Sequence, residues 1–191
     1  MSDVMLDLET WGTRPGCAIR SIGACVFDPN GEGTGQEFYA NINDMSCELA
    51  GLTIDPTTAA WWERQSKEAR DALLAHQRPL KDALWSFANW WQTVGGERIW
   101  SHGANFDQPI LEAAFVATGF PGGPWSFWNS RCSRTLLDVA QADTKASGLR
   151  RQGVHHNALD DAKFQALCVQ AGYRRITVGP QRPTQSDSVF S

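Results

Sequence analysis

VMLDLETWGTRPG, residues 4–16, reads as a buried strand running into a turn, and it carries two carboxylates. Successive strand side chains point to opposite faces, so residues two apart share one. Val4, Leu6 and Leu8 fall on one face, and Met5, Asp7 and Glu9 on the other. At about 3.3 Å per residue the Cα atoms of Asp7 and Glu9 stand roughly 6.5 Å apart, a spacing that lets two carboxylates converge on one cation. Asp is a poor strand former, and a buried carboxylate is costly unless it is paired or binds a metal. A lone D-x-E also fits an ordinary strand with one solvated face, so the reading turns on further acids at suitable places.

Working outward, AIRSIGACVFD (18–28) reads as a second strand, PNGEGTG as a turn and QEFYANI (36–42) as a third strand, an antiparallel meander. Asp55-Pro56 supplies a cap and a first-turn proline for a helix containing Trp61 and Trp62, and a short helix follows over 67–75. From Pro79, the residues Leu80, Ala83, Leu84, Phe87, Ala88, Trp91 and Val94 recur at helical spacing until Gly95-Gly96. RIWSHGA (98–104) is a strand feeding a helix, NFDQPILEAAFVATG, with Pro109 in its first turn. WSFWN is expected to add a strand, RTLLDVAQA a helix, and NALDDAKFQALCVQAG (157–172) a last helix ending at Gly172. Hairpin strands followed by alternating strands and helices imply an α/β fold, a mixed sheet flanked by helices.

The 191 residues suit one hydrophobic core, so residues 1–177 are expected to form a single domain. Residues 178–191, rich in Pro, Ser and Gln without periodicity, have the composition of a disordered tail. No apolar run approaches the roughly 20 residues of a membrane span, and the N-terminus lacks a signal-peptide pattern, so a cytoplasmic protein is expected. The five cysteines are scattered without a C-x-x-C pair and read as reduced packing residues. A formal net charge of −4 argues against coating duplex nucleic acid through its backbone, and leaves local gripping of one strand end open.

Further acids do occur. Asp107, in SHGANFDQPIL, sits at the mouth of a strand-to-helix turn, where either Asn105 or Asp107 could equally be an N-cap. In HHNALDDAKF (155–164), taking Asn157 as N-cap puts Asp160 at N3 for a weak capping box, His156 at N′ and Asp161 at N4. N′ and N4 touch, and they normally hold an apolar staple; an imidazole and a carboxylate there point to a site, although an exposed polar helix start would look the same.

Together, DLET, NFD and H-N-A-L-D-D-A, in that order, make the chain resemble the DEDDh 3′–5′ exonucleases over roughly residues 3–172. The long opening and WWERQ look like small bacterial and phage exonucleases of the exonuclease VIII-like type. Position 157 is Asn, where the tyrosine branch of the superfamily would have Tyr.

This resemblance implies a ribonuclease H-like fold and a two-metal hydrolysis of phosphodiester bonds from 3′ ends, releasing nucleoside 5′-monophosphates. It implies that Asp7, Glu9, Asp107 and Asp161 bind two magnesium ions, with manganese as a substitute, and that His156 is the general base. Thr10 and Trp11 would approach the terminal nucleotide, Trp11 either stacking on its base or packing in the core. Asn105 and Arg134 are further candidate substrate contacts. Arg131, Lys145, Arg150 and Arg151 add positive charge that could line a phosphate path or form a solvated basic loop, and Asp138 and Asp160 are assigned structural roles. Single-stranded DNA or RNA 3′ ends are the expected partners, with no membrane, and a homodimer is among the assemblies the sequence allows. A metal-free glycosidase and a binding module that lost catalysis are the alternatives; the cluster of four acids with one histidine opposes the first, and the complete motif set opposes the second.

Overall fold

The structure, a computed structural model, describes residues 2–142, 149–151, 153 and 156–178. Lys145, His155 and the tail beyond residue 178 lie outside the described residues. Among the described residues five strands form one sheet: β1 (Ser2–Thr10), β2 (Ile19–Phe27), β3 (Glu37–Asn41), β4 (Gly96–Ser101) and β5 (Ser130–Cys132). Their order is β3-β2-β1-β4-β5. The first three make the expected antiparallel meander, and β4 and β5 join in parallel beside β1, giving the mixed sheet.

Period-2 alternation in β1 decides what covers each face. Val4, Leu6 and Leu8 enter a large core with Leu84, Phe87 and Trp91 of α4 (Leu80–Thr93) and Ile110 and Phe115 of α5 (Asp107–Ala117). Met5 enters a second core with Trp100 and with Ala162, Ala166 and Val169 of α7 (Ala158–Val178). The sheet is thus covered on both faces, and Asp7 and Glu9 continue the α7 side of β1.

Helices α2 (Pro56–Glu63) and α3 (Lys67–Ala72) form where expected; the Asp55 carboxylate caps α2 by accepting from Thr58 N–H at 2.8 Å. Gly95, at φ +61°, closes α4. Helix α6 is Ser133–Val139. A short helix α1 (Asp44–Leu49), capped by Asn43, was not foreseen, because six residues are too few for a period to register.

Two expectations are corrected. WSFWN is no strand: Phe127–Asn129 form a 3₁₀ turn and β5 starts at Ser130. Its aromatics suit a strand, but pairing with β4 spans only Ile99–Ser101, so residues before Ser130 have no ladder to join. The last helix does not end at Gly172 but runs on to Val178. A Cβ at Gly172 would meet Leu136 and Leu137 of α6 only at ordinary contact distance, 3.5–3.6 Å, and the helix runs on past it without a left-handed turn.

Candidate active site

The α7 side of β1 gathers the acids. Asp7 lies opposite Gly23 of β2, and a Cβ at Gly23 would run into the backbone of Ala158 and Leu159. The bare glycine lets the first turn of α7 lie directly on the sheet beside Asp7. Asn157 fixes that turn, its Oδ1 accepting from Leu159 and Asp160 N–H at 3.1 Å each, and its Nδ2 donating to the Tyr39 hydroxyl at 3.3 Å. The register read from the sequence therefore holds, with His156 at N′ and Asp161 at N4.

His156 adopts φ +63°, a left-handed conformation uncommon outside glycine. Its ring meets Trp61 edge-to-face at 4.9 Å and lies 5.9 Å from Trp62. Glu9, His156 and Asp161 each offer a ligand atom, and these atoms all lie within 4.8 Å of one another. Asp107 reaches the same region from α5. It is no side-chain cap; its Oδ1 accepts the Leu8 N–H of β1 at 3.1 Å, which ties the helix mouth to the strand between Asp7 and Glu9.

Electrostatics bind these acids into one cluster. Burial, and after it the charges of Asp107 and Glu9, push the Asp7 carboxyl well above its usual range. Burial and Asp107 raise Glu9 to about 8, against the pull of Arg20 and Arg151. Burial raises Asp107 to about 7, while the Leu8 N–H and Arg134 favour its charged form. Arg151 is ion-paired to Asp161. Four acids brought to one end of β1 have the oxygen-rich chemistry that a hard divalent cation prefers, and Arg151 supplies the nearest opposite charge to Asp161.

Three neighbours of the cluster escaped the sequence reading. Gln165 donates to Asp7 Oδ1 at 2.7 Å, and its i+4 spacing from Asp161 was the available signal. Arg20, only 6% exposed, lies between Trp11 and Trp62, its guanidinium carbon 4.0 and 4.4 Å from their ring centres. His102 shares a 2.9 Å hydrogen bond with Ser133 across the β4 and β5 ends.

Of the candidate substrate contacts, Thr10 is buried, its hydroxyl donating to Gly12 carbonyl at 2.6 Å and its carbonyl accepting from the Trp62 indole at 2.9 Å. Trp11 packs against the main core, covers Arg20 and donates its indole N–H to Asp44 at 2.7 Å. Beside Glu9 a cavity of about 370 Å³ is lined instead by Thr10, Trp61, Trp62 and Phe106. Asn105 is exposed in the turn before α5, and Arg134 is exposed against Gly103. Arg131 donates to Trp128 and Ser130 carbonyls, and Arg150 and Asp160 line a separate cavity with Lys163. Asp138 is exposed on α6.

The family model described as the 3′–5′ exoribonuclease Rv2179c-like domain matches residues 2–173. An exodeoxyribonuclease of Enterobacteria phage T4 is 25% identical over 168 residues, spanning 73% of this chain and 72% of the phage protein. Exonuclease X in complex with 5′-overhanging duplex DNA shares the fold at a TM-score of 0.58 and 18% identity, over 90% of this chain and 91% of that one. The nuclease domain of 3′hExo, a DEDDh family member bound to rAMP, does so at 0.60 and 12% identity, over 93% and 92%. E. coli exonuclease I in complex with a dT13 oligonucleotide does so at 0.64 and 15% identity, over 93% of this chain and 42% of its own length. With the three motifs in order on this mixed sheet, the chain belongs to the Rv2179c-like 3′–5′ exoribonuclease domain family and has the DEDDh exonuclease fold.

Proposed function

We propose that this chain is a divalent-metal-dependent exonuclease that removes nucleotides one at a time from the 3′ end of single-stranded nucleic acid or 3′ overhangs. The catalytic unit would be carried by residues 1–177. The observation that carries the reading is the crowding of Asp7, Glu9, Asp107 and Asp161 with His156 at one end of β1. Acids so close repel one another when ionised, as the raised Asp7, Glu9 and Asp107 carboxyls show, and a divalent cation between them would relieve that repulsion. E. coli exonuclease I with single-stranded DNA is known in a zinc-bound form, which supports a cation in such a site.

In this reading Asp7, Glu9, Asp107 and Asp161 would hold two magnesium ions, or manganese in their place. Such ions supply charge stabilisation to the scissile phosphate and acidify an attacking water. His156 takes the proton from that water at a ring nitrogen; the Trp61 edge contact and the Asn157-capped turn hold its ring. Arg151, now paired with Asp161, would have to release that carboxylate for it to take a cation. Trp61 and Phe106 receive the terminal base in the cavity beside Glu9, while the backbone near Thr10 meets the 3′ hydroxyl.

The family description names RNA and the phage relative DNA, so the deciding experiment uses both. Matched RNA and DNA oligonucleotides, single-stranded or with 3′ or 5′ overhangs, are digested in magnesium and in EDTA. Stepwise shortening to nucleoside 5′-monophosphates in magnesium alone is expected. A 3′ phosphate should block it and a 5′ phosphate should not. Undiminished digestion in EDTA, or cutting of circular single strands, overturns the reading.

A further inference from the structure

A separate groove of about 630 Å³ is lined by Ala104, by Gln108, Pro109 and Glu112 of α5, and by Phe127 and Trp128. These two aromatic side chains are 80% and 67% exposed, with ring centres 4.7 Å apart, edge to face. Neighbouring Trp125 behaves as a core residue, packing on Phe115, Phe87 and Trp91, so the exposure is particular to this pair. Positive charge borders them. Arg131 donates one guanidinium nitrogen to the Trp128 and Ser130 carbonyls, and exposed Arg134 stands against Gly103, near enough to favour the charged form of Asp107. The acid in the groove, Glu112, is committed to the Gly123 N–H at 2.7 Å.

We propose that Phe127 and Trp128 form a stacking platform for bases of the single strand upstream of the scissile nucleotide, with Arg131 and Arg134 beside its phosphates. The proposal rests on the exonuclease reading and deepens it. Exposed aromatic faces grip any base without reading sequence, and adjacent guanidinium groups match a phosphate backbone that a chain of net charge −4 would otherwise repel. Gln108, Pro109 and Glu112 of α5 line the groove together with Phe127 and Trp128, so the aromatic pair borders the helix whose first residue is Asp107.

The test compares wild type, a Phe127→Ala/Trp128→Ala double variant and Trp128→Tyr, digesting a dinucleotide and a twelve-nucleotide single strand in magnesium. The quantity read is kcat/KM for the longer strand divided by that for the dinucleotide. It should fall about five- to a hundredfold in the double variant, through KM, and recover in Trp128→Tyr. Melting temperature and sedimentation should match wild type, because both side chains project from the surface. A double variant that keeps the full ratio removes the platform and leaves the exonuclease reading standing. A wild type that digests neither substrate removes both. Dissociation of a wild-type dimer in the double variant, with KM unchanged, assigns the patch to a second copy of the chain and overturns the proposal.

Discussion

Asp7 is held between opposing demands: Gln165 donates to it, while Asp107 and Glu9 repel its charge. Asp7→Ala is therefore expected to raise the melting temperature in metal-free buffer, because one of the crowded acids is gone, and to abolish cleavage. Added magnesium or manganese should stabilise wild type by mass action and the variant less. Equal stabilisation of both would remove Asp7 from the metal site. At His156 the left-handed backbone and the edge contact with Trp61 set the ring beside Glu9 and Asp161. His156→Ala should lose about 10²–10⁴-fold in kcat, the usual cost of a general base, while keeping metal-induced stabilisation. His155→Ala should change the rate only slightly; a dead His155→Ala enzyme would shift the assignment of the base by one residue.

At the scale of elements, the first turn of α7 depends on Gly23. Any side chain there meets the backbone of Ala158 and Leu159, which cannot yield as a flexible side chain could. Gly23→Ala should cost about 1–3 kcal/mol in stability, as overpacking does. Its effect on kcat should be larger, on the order of 10²-fold, because the turn that moves carries His156 and Asp161. Thermal melts and steady-state kinetics on one preparation separate the two, and saturating magnesium should not restore the rate. A Gly23→Ala enzyme with normal kcat would show that α7 need not lie so close. The elements themselves were legible where long periodic runs carried them, as in β1, α4 and the start of α7. They were not legible at α1 or at WSFWN, where length or the lack of a pairing partner decided the outcome.

Across the whole molecule the raised acids set the direction of pH dependence. Glu9 at about 8 and Asp107 at about 7 hold protons in the folded chain that the unfolded chain has already released, since their ordinary values are 4.5 and 3.8. Over that window the native state binds more protons, so stability falls as pH rises. Metal-free melts should thus lose stability from about pH 4.5 to about pH 8, the reverse of an acid stabilised by a salt bridge. Glu9→Gln should flatten the slope, and magnesium should offset it most at the alkaline end. A flat metal-free profile would mean that these acids are already neutralised in another way. Among the described residues no helix is long and apolar enough to cross a membrane, in keeping with a chain whose longest helix carries two acids in its first turn.

The sequence by itself determined the strand alternation that puts Asp7 and Glu9 on one face, the capped start of α7 that makes neighbours of His156 and Asp161, and the ordered motifs that mark the family. Each rests on separations of five residues or fewer, or on fixed residue types, and local geometry settles such relations. Only the tertiary structure decided that Asp107 bonds β1 rather than its own helix, and that Gln165 and Arg151 reach the acids. It also turned Trp11 to the core and Arg20, and gave the cavity beside Glu9 to Trp61 and Phe106. Those contacts join residues from separate elements, and which of them meet depends on how the helices pack against the sheet, which no local period encodes.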